Sequence, residues 1–169
     1  MWFGISGSWR YEFQELTRDV ETAVESILGI DCGIITGGAL GVDYIATDAI
    51  VDFLGENILG RLRLYLPIPL KKYLEYLEKR VLEGKVTKRR VDALSEQLRG
   101  IQETCPDCIR DNWGFEEVNK KSYYSRIDKI VGDIDGLYAF QVNDSEGVQY
   151  SVNLAREQEK SVFLKSYRI

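Results

Sequence analysis

Three glycine-containing turns carry the residues of this sequence best suited to holding an anion. They are Ser6-Gly7-Ser8-Trp9-Arg10, Thr36-Gly37-Gly38-Ala39-Leu40-Gly41-Val42-Asp43 and Asn143-Asp144-Ser145-Glu146-Gly147-Val148. Each lies between an apolar run and an amphipathic segment, which predicts a strand end joined to a helix start. Glycine lets the backbone approach a ligand closely, and the first N–H groups of a helix are unpaired donors. Together the turns predict a cradle for phosphate or a similar anion.

Polar side chains in and near these turns can add to such a cradle. Serine and threonine hydroxyls donate hydrogen bonds, and Arg10 offers a planar fork for phosphate or carboxylate. The carboxylate of Asp43 can accept hydrogen bonds from ribose hydroxyls, or it can equally cap the start of its own helix. Arg126 can bind a phosphate, or it can form a salt bridge at the surface. The predicted ligand-binding set is Ser6, Gly7, Ser8, Arg10, Thr36, Gly37, Gly38, Gly41, Asp43, Arg126, Ser145, Glu146 and Gly147.

The absence of histidine limits the chemistry of this chain. Histidine-dependent nucleophilic catalysis and histidine-bound zinc are excluded, so proton transfer has to use carboxylates, tyrosine, lysine or water. Cys105-Pro-Asp-Cys108 has the spacing of half a zinc site, but the chain has one further cysteine, Cys32. We therefore predict no metal site and a turn that carries reduced thiols.

Size and charge predict one soluble, acidic domain. The chain has 169 residues and a formal charge of −5, which excludes a generally basic nucleic-acid-binding surface. No apolar stretch is long enough for a membrane span, and the amino terminus lacks the pattern of a secretory signal. We expect a cytoplasmic protein without a membrane partner.

Apolar periodicity divides the chain into alternating strands and helices. The predicted strands are Trp2 to Ser6, Cys32 to Thr36, Arg61 to Leu66, Gly136 to Val142 and Ser161 to Leu164. Parallel strands need crossover helices, so this alternation predicts an α/β fold. We expect a Rossmann-like three-layer sandwich with a mostly parallel five-stranded sheet in the order 3-2-1-4-5. In that order the three turns converge where the strand order reverses.

A charged helical insert at about residues 67–115 departs from this alternation. Two apolar stripes with Gly84 between them predict two helices, followed by a loop from Cys105 to Gly114. The segment from Lys71 to Thr104 has a net charge of +3 in an acidic chain. Such a segment suits a lid over an anionic ligand or, more simply, a solvated helix surface.

The glycine-rich turns resemble those of a known superfamily. Ile34-Ile35-Thr36-Gly37-Gly38-Ala39-Leu40-Gly41-Val42-Asp43, followed later by Ser145-Glu146-Gly147, is similar to the Rossmann-like domain of the DprA (Smf) DNA-processing proteins and the wider SLOG superfamily. That superfamily includes the LOG-type "lysine decarboxylase-like" nucleotide hydrolases. The resemblance implies binding of nucleotides, nucleotide derivatives or single-stranded DNA, and an oligomer such as a dimer.

The chain departs from the motifs of both related families, and these departures determine which function we predict first. LOG-type hydrolases have a catalytic glutamate where this chain has Ser151, and DprA proteins have Arg-Asn where it has Arg126-Ile127. Our leading prediction is therefore binding of a nucleotide or nucleotide-derived phosphate without turnover and without a required cofactor. An alternative is an N-glycosidic hydrolase of nucleoside monophosphates that uses Glu146 or Asp144. A further alternative is single-stranded DNA binding, with stacking on Trp9, Tyr123 and Tyr124 and phosphate contacts from the Lys85 to Arg90 segment.

Overall fold

Six parallel strands form a single sheet in the computed structural model, which describes residues 1–169. The strands are β1 (Trp2–Gly7), β2 (Gly33–Thr36), β3 (Leu62–Tyr65), β4 (Ile109–Arg110), β5 (Gly136–Val142) and β6 (Ser161–Tyr167). The helices are α1 (Gln14–Gly29), α2 (Val42–Leu54), α3 (Leu70–Leu82), α4 (Lys88–Thr104), α5 (Lys120–Asp133) and α6 (Glu146–Glu157). In the order β4-β3-β2-β1-β5-β6, the point at which the strand order reverses lies between β1 and β5.

Apolar side chains pack on both faces of the sheet, as expected for a parallel sheet between helices. The larger core lies under α1, α2 and the α3–α4 hairpin and includes Leu16, Ile50 and Leu98. The smaller core lies under α5 and α6 and includes Ile130 and Val152. The structure is therefore the predicted three-layer sandwich. None of its helices is both long and apolar enough to cross a bilayer.

The sheet differs from the prediction at one edge. The five predicted strands have the predicted order, but β4 adds a sixth strand beside β3, and every pair is parallel. β4 covers only two residues within the segment that we predicted as a loop. A segment this short has no apolar periodicity from which a strand could be recognised.

The charged insert forms an antiparallel helical hairpin. Its two helices, α3 and α4, are joined through Gly84, which has a φ of +68° as at the end of a helix. The backbone N–H of Leu70, at the start of α3, donates to Oδ2 of Asp111 at 2.8 Å. This bond attaches the hairpin to the chain that follows β4. The prediction of two helices is confirmed.

The prediction of reduced thiols in the Cys105–Cys108 turn is wrong in this structure. The two sulfurs form a disulfide, and both residues are buried, while Cys32 is a free buried cysteine. The turn brings the Cα atoms of Cys105 and Cys108 to 5.4 Å, which is within the range for a disulfide. Sequence spacing alone does not report this geometry.

Candidate functional site

The three glycine-containing turns meet at the carboxyl ends of the strands. The backbone N–H of Val42, in the turn after β2, donates to the carbonyl of Ser8 at 3.4 Å. The hydroxyl of Ser8 accepts from the N–H of Val142, at the end of β5, at 2.9 Å. Gly41, with a φ of +73°, lies directly against the backbone of Ser8 and Trp9. The turn after β1 is therefore attached to the other two.

A cavity of about 130 Å³ opens beside these turns. It lies above the carboxyl ends of β1 and β2, between α5 and α6, and it is covered by the α3 helix. Most of its wall is apolar. The polar and aromatic lining residues are Ser6, Trp9, Asp43, Tyr73, Tyr76, Arg80, Tyr123, Arg126 and Ser151. Asp43 is the sole carboxylate of the lining, and Arg80 and Arg126 are its two cations.

Arg126 is the central polar group of the cavity wall. Its side chain is held on α5, and the residue is only 5% exposed. Nη1 donates to the carbonyl of Gly37 at 2.8 Å, and the guanidinium lies 4.8 Å from the ring centre of Tyr123. Nε is buried and has no hydrogen-bond partner. A buried guanidinium with an unused N–H is well suited to an acceptor from a ligand.

Asp43 lies close to Arg126 without forming a salt bridge. Its Oδ2 accepts from the backbone N–H of Ala39 at 3.3 Å, so the carboxylate closes its own turn. Burial raises the pKa of Asp43, and the positive charge of Arg126 opposes that shift. A Cβ atom on Gly37 would lie 2.7 Å from Oδ2 of Asp43 and 3.0 Å from Cζ of Arg126. Any other residue at position 37 would therefore displace the carboxylate of Asp43 or the guanidinium of Arg126.

The start of α6 reaches the cavity only through Val148. Ser145 is the N-cap residue, but its side chain caps no backbone N–H, so the first amides of α6 lack that partner. Gly147 lies against the hydroxyl of Tyr123, which occupies the space that a side chain would fill. This glycine thus makes room for a protein side chain at the helix start.

The two candidate catalytic carboxylates lie outside the cavity. Asp144 is exposed and forms an ion pair with Arg168 at 2.9 Å, which lowers the pKa of Asp144. Glu146 is exposed in the first turn of α6. Ser151, which stands where LOG-type hydrolases have their glutamate, does line the cavity and donates to the carbonyl of Gly147 at 3.0 Å. Of the thirteen predicted binding residues, five line the cavity, namely Ser6, Gly7, Gly37, Asp43 and Arg126, and neither candidate catalytic carboxylate does.

Other predicted binding residues serve the fold or face solvent. The hydroxyl of Ser8 is engaged by the backbone of Val142, and the hydroxyl of Thr36 is fully buried without a hydrogen-bond partner. Arg10 is exposed and stacks on Trp9 at 4.5 Å from the ring centre. Gly38, with a φ of +60°, packs against Leu66. Of the hydroxyl-bearing residues of the three turns, Ser6 alone lines the cavity.

Three lining residues were missed because they belong to the insert. Tyr73, Tyr76 and Arg80 lie on successive turns of α3 and face the cavity. Tyr73 is buried, and its ring stacks on Tyr76 with an angle of 14° and a centroid distance of 6.3 Å. Their spacing of three and four residues continues the apolar stripe of this helix. This spacing indicates that the residues share one helix face, but the charge of the insert favoured a solvated surface.

Two of the four cations in the Lys85 to Arg90 segment, Lys88 and Arg90, form ion pairs within the protein. Lys88 contacts Glu78 and Asp92, at 3.0 Å and 2.5 Å. Arg90 contacts Glu12 at 2.7 Å and also donates to the carbonyl of Trp9 at 2.6 Å. These pairs reduce the charge that the segment can offer to a nucleic-acid backbone.

Comparisons with known proteins relate the fold to one group. No protein-family model matches the chain, and no curated protein sequence matches it. Among solved structures, DNA processing protein A from Helicobacter pylori, described for its single-stranded DNA binding mode, matches with a TM-score of 0.67 and 20% identity, covering 97% of this chain and 64% of that one. DNA processing protein A (DprA) from Streptococcus pneumoniae matches with a TM-score of 0.51 and 13% identity, covering 95% and 57%.

The chain thus spans less than two thirds of the length of either protein. Both matches run over nearly all of this chain, including the insert. At these identities the likeness concerns the arrangement of the backbone. The chain has the DprA-like Rossmann fold.

Proposed function

We propose that this protein binds a nucleotide or a phosphate-bearing nucleotide derivative in the cavity above β1 and β2. The observation that carries the proposal is the buried guanidinium of Arg126, whose Nε has no partner. Removing a charge from water costs several kcal/mol unless an anion compensates it. The charge of Asp43 interacts with that of Arg126, but the two side chains form no salt bridge, so no acceptor satisfies the Nε–H group of Arg126. An anionic ligand would complete the site.

Aromatic residues around Arg126 favour a nucleotide over a simple anion. Trp9, Tyr76 and Tyr123 line the same cavity, and aromatic rings provide stacking surfaces for bases. The cavity volume of about 130 Å³ corresponds to roughly four waters in the liquid, which is about the size of one base. In this arrangement a phosphate lies at Arg126, and the base lies against the aromatic wall.

Isothermal titration calorimetry with a panel of nucleotides, nucleosides and inorganic phosphate tests this proposal. We expect at least one nucleotide to bind, and we expect the nucleoside of the same base to bind at least tenfold more weakly. Arg126→Lys keeps the charge but removes the planar N–H edge, so it should weaken binding tenfold or more. Arg10→Lys is the matched control because Arg10 is exposed outside the cavity. A folded protein that binds no phosphorylated ligand would refute the proposal.

Single-stranded DNA is a second candidate ligand for the same site. The fold shared with the H. pylori protein, which binds single-stranded DNA, favours it. An exposed base at the end or within a strand could enter the cavity as a mononucleotide would. Competition separates the two candidates: a mononucleotide should displace an oligonucleotide that is held in the cavity, and Arg126→Lys should weaken both ligands.

A further inference from the structure

The Cys105–Cys108 disulfide closes the turn between α4 and β4, outside the cavity. α4 ends at Cys105, and β4 begins directly after Cys108. Both cysteines are buried, but the residues beside them, Thr104, Pro106 and Asp107, are exposed. The disulfide therefore lies directly beneath a surface turn, and opening of this turn alone would expose it to a reductant.

The disulfide joins two elements that are held with very different firmness. α4 buries five residues, among them Leu94 and Leu98, in the larger core. β4 has two residues and lies at the edge of the sheet, with β3 as its one neighbouring strand. A strand this short makes few backbone hydrogen bonds, so it opens at low cost. The disulfide thus fastens a weakly held edge strand to a firmly packed helix.

The residue that follows β4 holds the start of α3. Oδ2 of Asp111 accepts from the backbone N–H of Leu70 at 2.8 Å. α3 buries only two residues, Tyr73 and Leu77, and both line the cavity. A helix with so few buried residues depends strongly on its anchors. A short chain of contacts therefore connects the disulfide, through β4 and Asp111, to the helix that covers the cavity.

The surroundings of the two cysteines also suit free thiols. Sγ of Cys108 lies 3.8 Å from the carbonyl oxygen of Ile58, to which a thiol S–H can donate a weak hydrogen bond. Cys105 lies in the larger apolar core, where a free cysteine packs as a small hydrophobic side chain. Reduction therefore does not require the rest of the fold to open.

We infer that Cys105 and Cys108 form a site of reversible thiol–disulfide exchange, whose co-reactant is a dithiol, and that this exchange controls how firmly α3 covers the cavity. A thiolate of the dithiol attacks the sulfur of Cys105, which is 4% exposed against 1% for Cys108. The protein S–S bond breaks as a mixed disulfide forms, and the sulfur of Cys108 leaves as a thiolate. The second thiolate of the co-reactant then releases Cys105. The protein gains two electrons and two protons as two thiols, and the dithiol is oxidised to a disulfide.

Reduction removes the covalent link between α4 and β4. β4 then opens more often, and each opening withdraws Asp111 from the N–H of Leu70. The consequence for a ligand rests on the proposed function: a nucleotide in the cavity should enter and leave faster when the site is reduced. The exchange site and its effect on α3 do not depend on that ligand.

The size of the effect follows from the loop that the disulfide closes. The two cysteines are separated by 3 positions in the sequence. A disulfide that closes a loop of about four residues restricts the opened chain by roughly 20-fold at 25 °C. Opening of β4 should therefore become up to about 20-fold more frequent after reduction.

Amide hydrogen exchange of the oxidised protein and of the protein in excess dithiothreitol tests the effect on β4 and α3. The N–H of Leu66 donates to the carbonyl of Arg110 at 2.9 Å and reports on β4. The N–H of Leu70 reports on the Asp111 anchor. We expect both amides to exchange up to about 20-fold faster after reduction, at rates that do not change with low concentrations of urea, as for local opening.

Ala139 provides the reference for global unfolding, because it is fully buried in β5. Its exchange should depend on urea in both redox states. If reduction leaves the exchange of Leu66 and Leu70 unchanged, the inference is wrong. It is also wrong if these two amides exchange only together with Ala139, in a reaction that urea accelerates, because the disulfide would then stabilise the whole fold without controlling α3.

Asp111→Ala tests whether the disulfide acts through its proposed anchor. The N–H of Tyr73 donates to the carbonyl of Pro69 at 2.9 Å and reports on the first turn of α3. In the oxidised variant this amide should exchange as fast as in the reduced wild type, and reduction of the variant should add little. Asp107→Ala is the matched control, because Asp107 is an exposed carboxylate beside the disulfide, and it should keep the full redox response. Independent effects of Asp111→Ala and reduction would contradict the inference.

Alkylation of unfolded samples, followed by mass spectrometry, counts the thiols in each state. We expect one thiol before reduction, three after it and one again after reoxidation, since Cys32 is free and the chain has three cysteines. Cys32→Ala should lower each count by one and keep the response of Leu70. Loss of the native fold on reduction, or failure of the pair to re-form, would overturn the exchange site.

These measurements also separate the exchange site from the cavity proposal. If no nucleotide binds in either redox state while the exchange of Leu70 still responds to reduction, the cavity proposal is wrong and the exchange site survives. If a nucleotide binds at the same rate in both states and Leu70 does not respond, the exchange site is wrong and the cavity proposal survives.

Discussion

Replacement of Arg126 by methionine should separate ligand binding from stability. The change leaves the carbonyl of Gly37 without its donor, which costs about 1–3 kcal/mol. It also removes the contact with the Tyr123 ring, worth up to about 2 kcal/mol in a desolvated site, and the positive charge that opposes the raised pKa of buried Asp43. Against these losses stands the release of a buried charge without a direct anionic partner, which is worth several kcal/mol. The opposing effects are similar in size, so we expect the free energy of unfolding to change by no more than about 1 kcal/mol.

Urea unfolding monitored by tryptophan fluorescence measures this balance. Arg61→Met is the matched control, since Arg61 donates to Asp31 at 2.7 Å and to the carbonyls of Leu28 and Cys32 at 2.8 Å and 3.1 Å. Loss of these three bonds should lower the free energy of unfolding by about 2 kcal/mol or more. A destabilisation of about 3 kcal/mol or more by Arg126→Met would show that Arg126 is a structural residue, and would refute the reasoning that a ligand completes its environment.

Three further changes test which interactions stabilise the fold. Gly7→Ala places a Cβ atom against Val42, so it should lower the free energy of unfolding by about 1–3 kcal/mol, and Val42→Ala in the same chain should recover part of this loss in a double-mutant cycle. Asp19 contacts Lys165 and the hydroxyl of Tyr167, and both contacts lower the pKa of Asp19. The resulting stabilisation is present above the unfolded-state pKa near 4 and is lost as the pH falls. Asp19→Asn should therefore reduce the change in unfolding free energy with pH on the acid side. Reduction of the Cys105–Cys108 disulfide, or its replacement by two serines, should lower the unfolding free energy by about 2 kcal/mol, as expected for a short loop; no change in the urea midpoint would contradict this.

The order of the main strands could be predicted because long-range rules constrain it. Apolar runs of four or more residues separated by amphipathic helices leave few topologies for a parallel sheet. β4 escaped prediction because a two-residue strand is defined by its pairing with Leu64 and Tyr65, which is a tertiary property. The disulfide escaped for a related reason: whether two thiols meet depends on the path of the turn between them.

The site could be predicted at the level of its backbone but not of its side chains. Glycine at position 37 signals a close approach, yet the groups that approach are Asp43 and Arg126 of the protein itself. The residue type of Arg10 predicts an anion-binding guanidinium, but this side chain stacks on Trp9 in solvent. Tyr73 could not be predicted as a site residue because the charge of the insert favoured a solvated surface. Its ring is buried and forms part of the cavity wall.

Nitrogen–proton NMR of the Arg126 side chain tests the central claim most directly. The Nε–H of Arg126 is buried and unbonded, so its proton should exchange slowly with water and its signal should be distinct from those of exposed arginines. Addition of a binding nucleotide should shift this signal, with the same dissociation constant as in calorimetry, and Arg126→Lys should remove it. A nucleotide that binds with full affinity while the Arg126 Nε–H signal stays unchanged would contradict the claim.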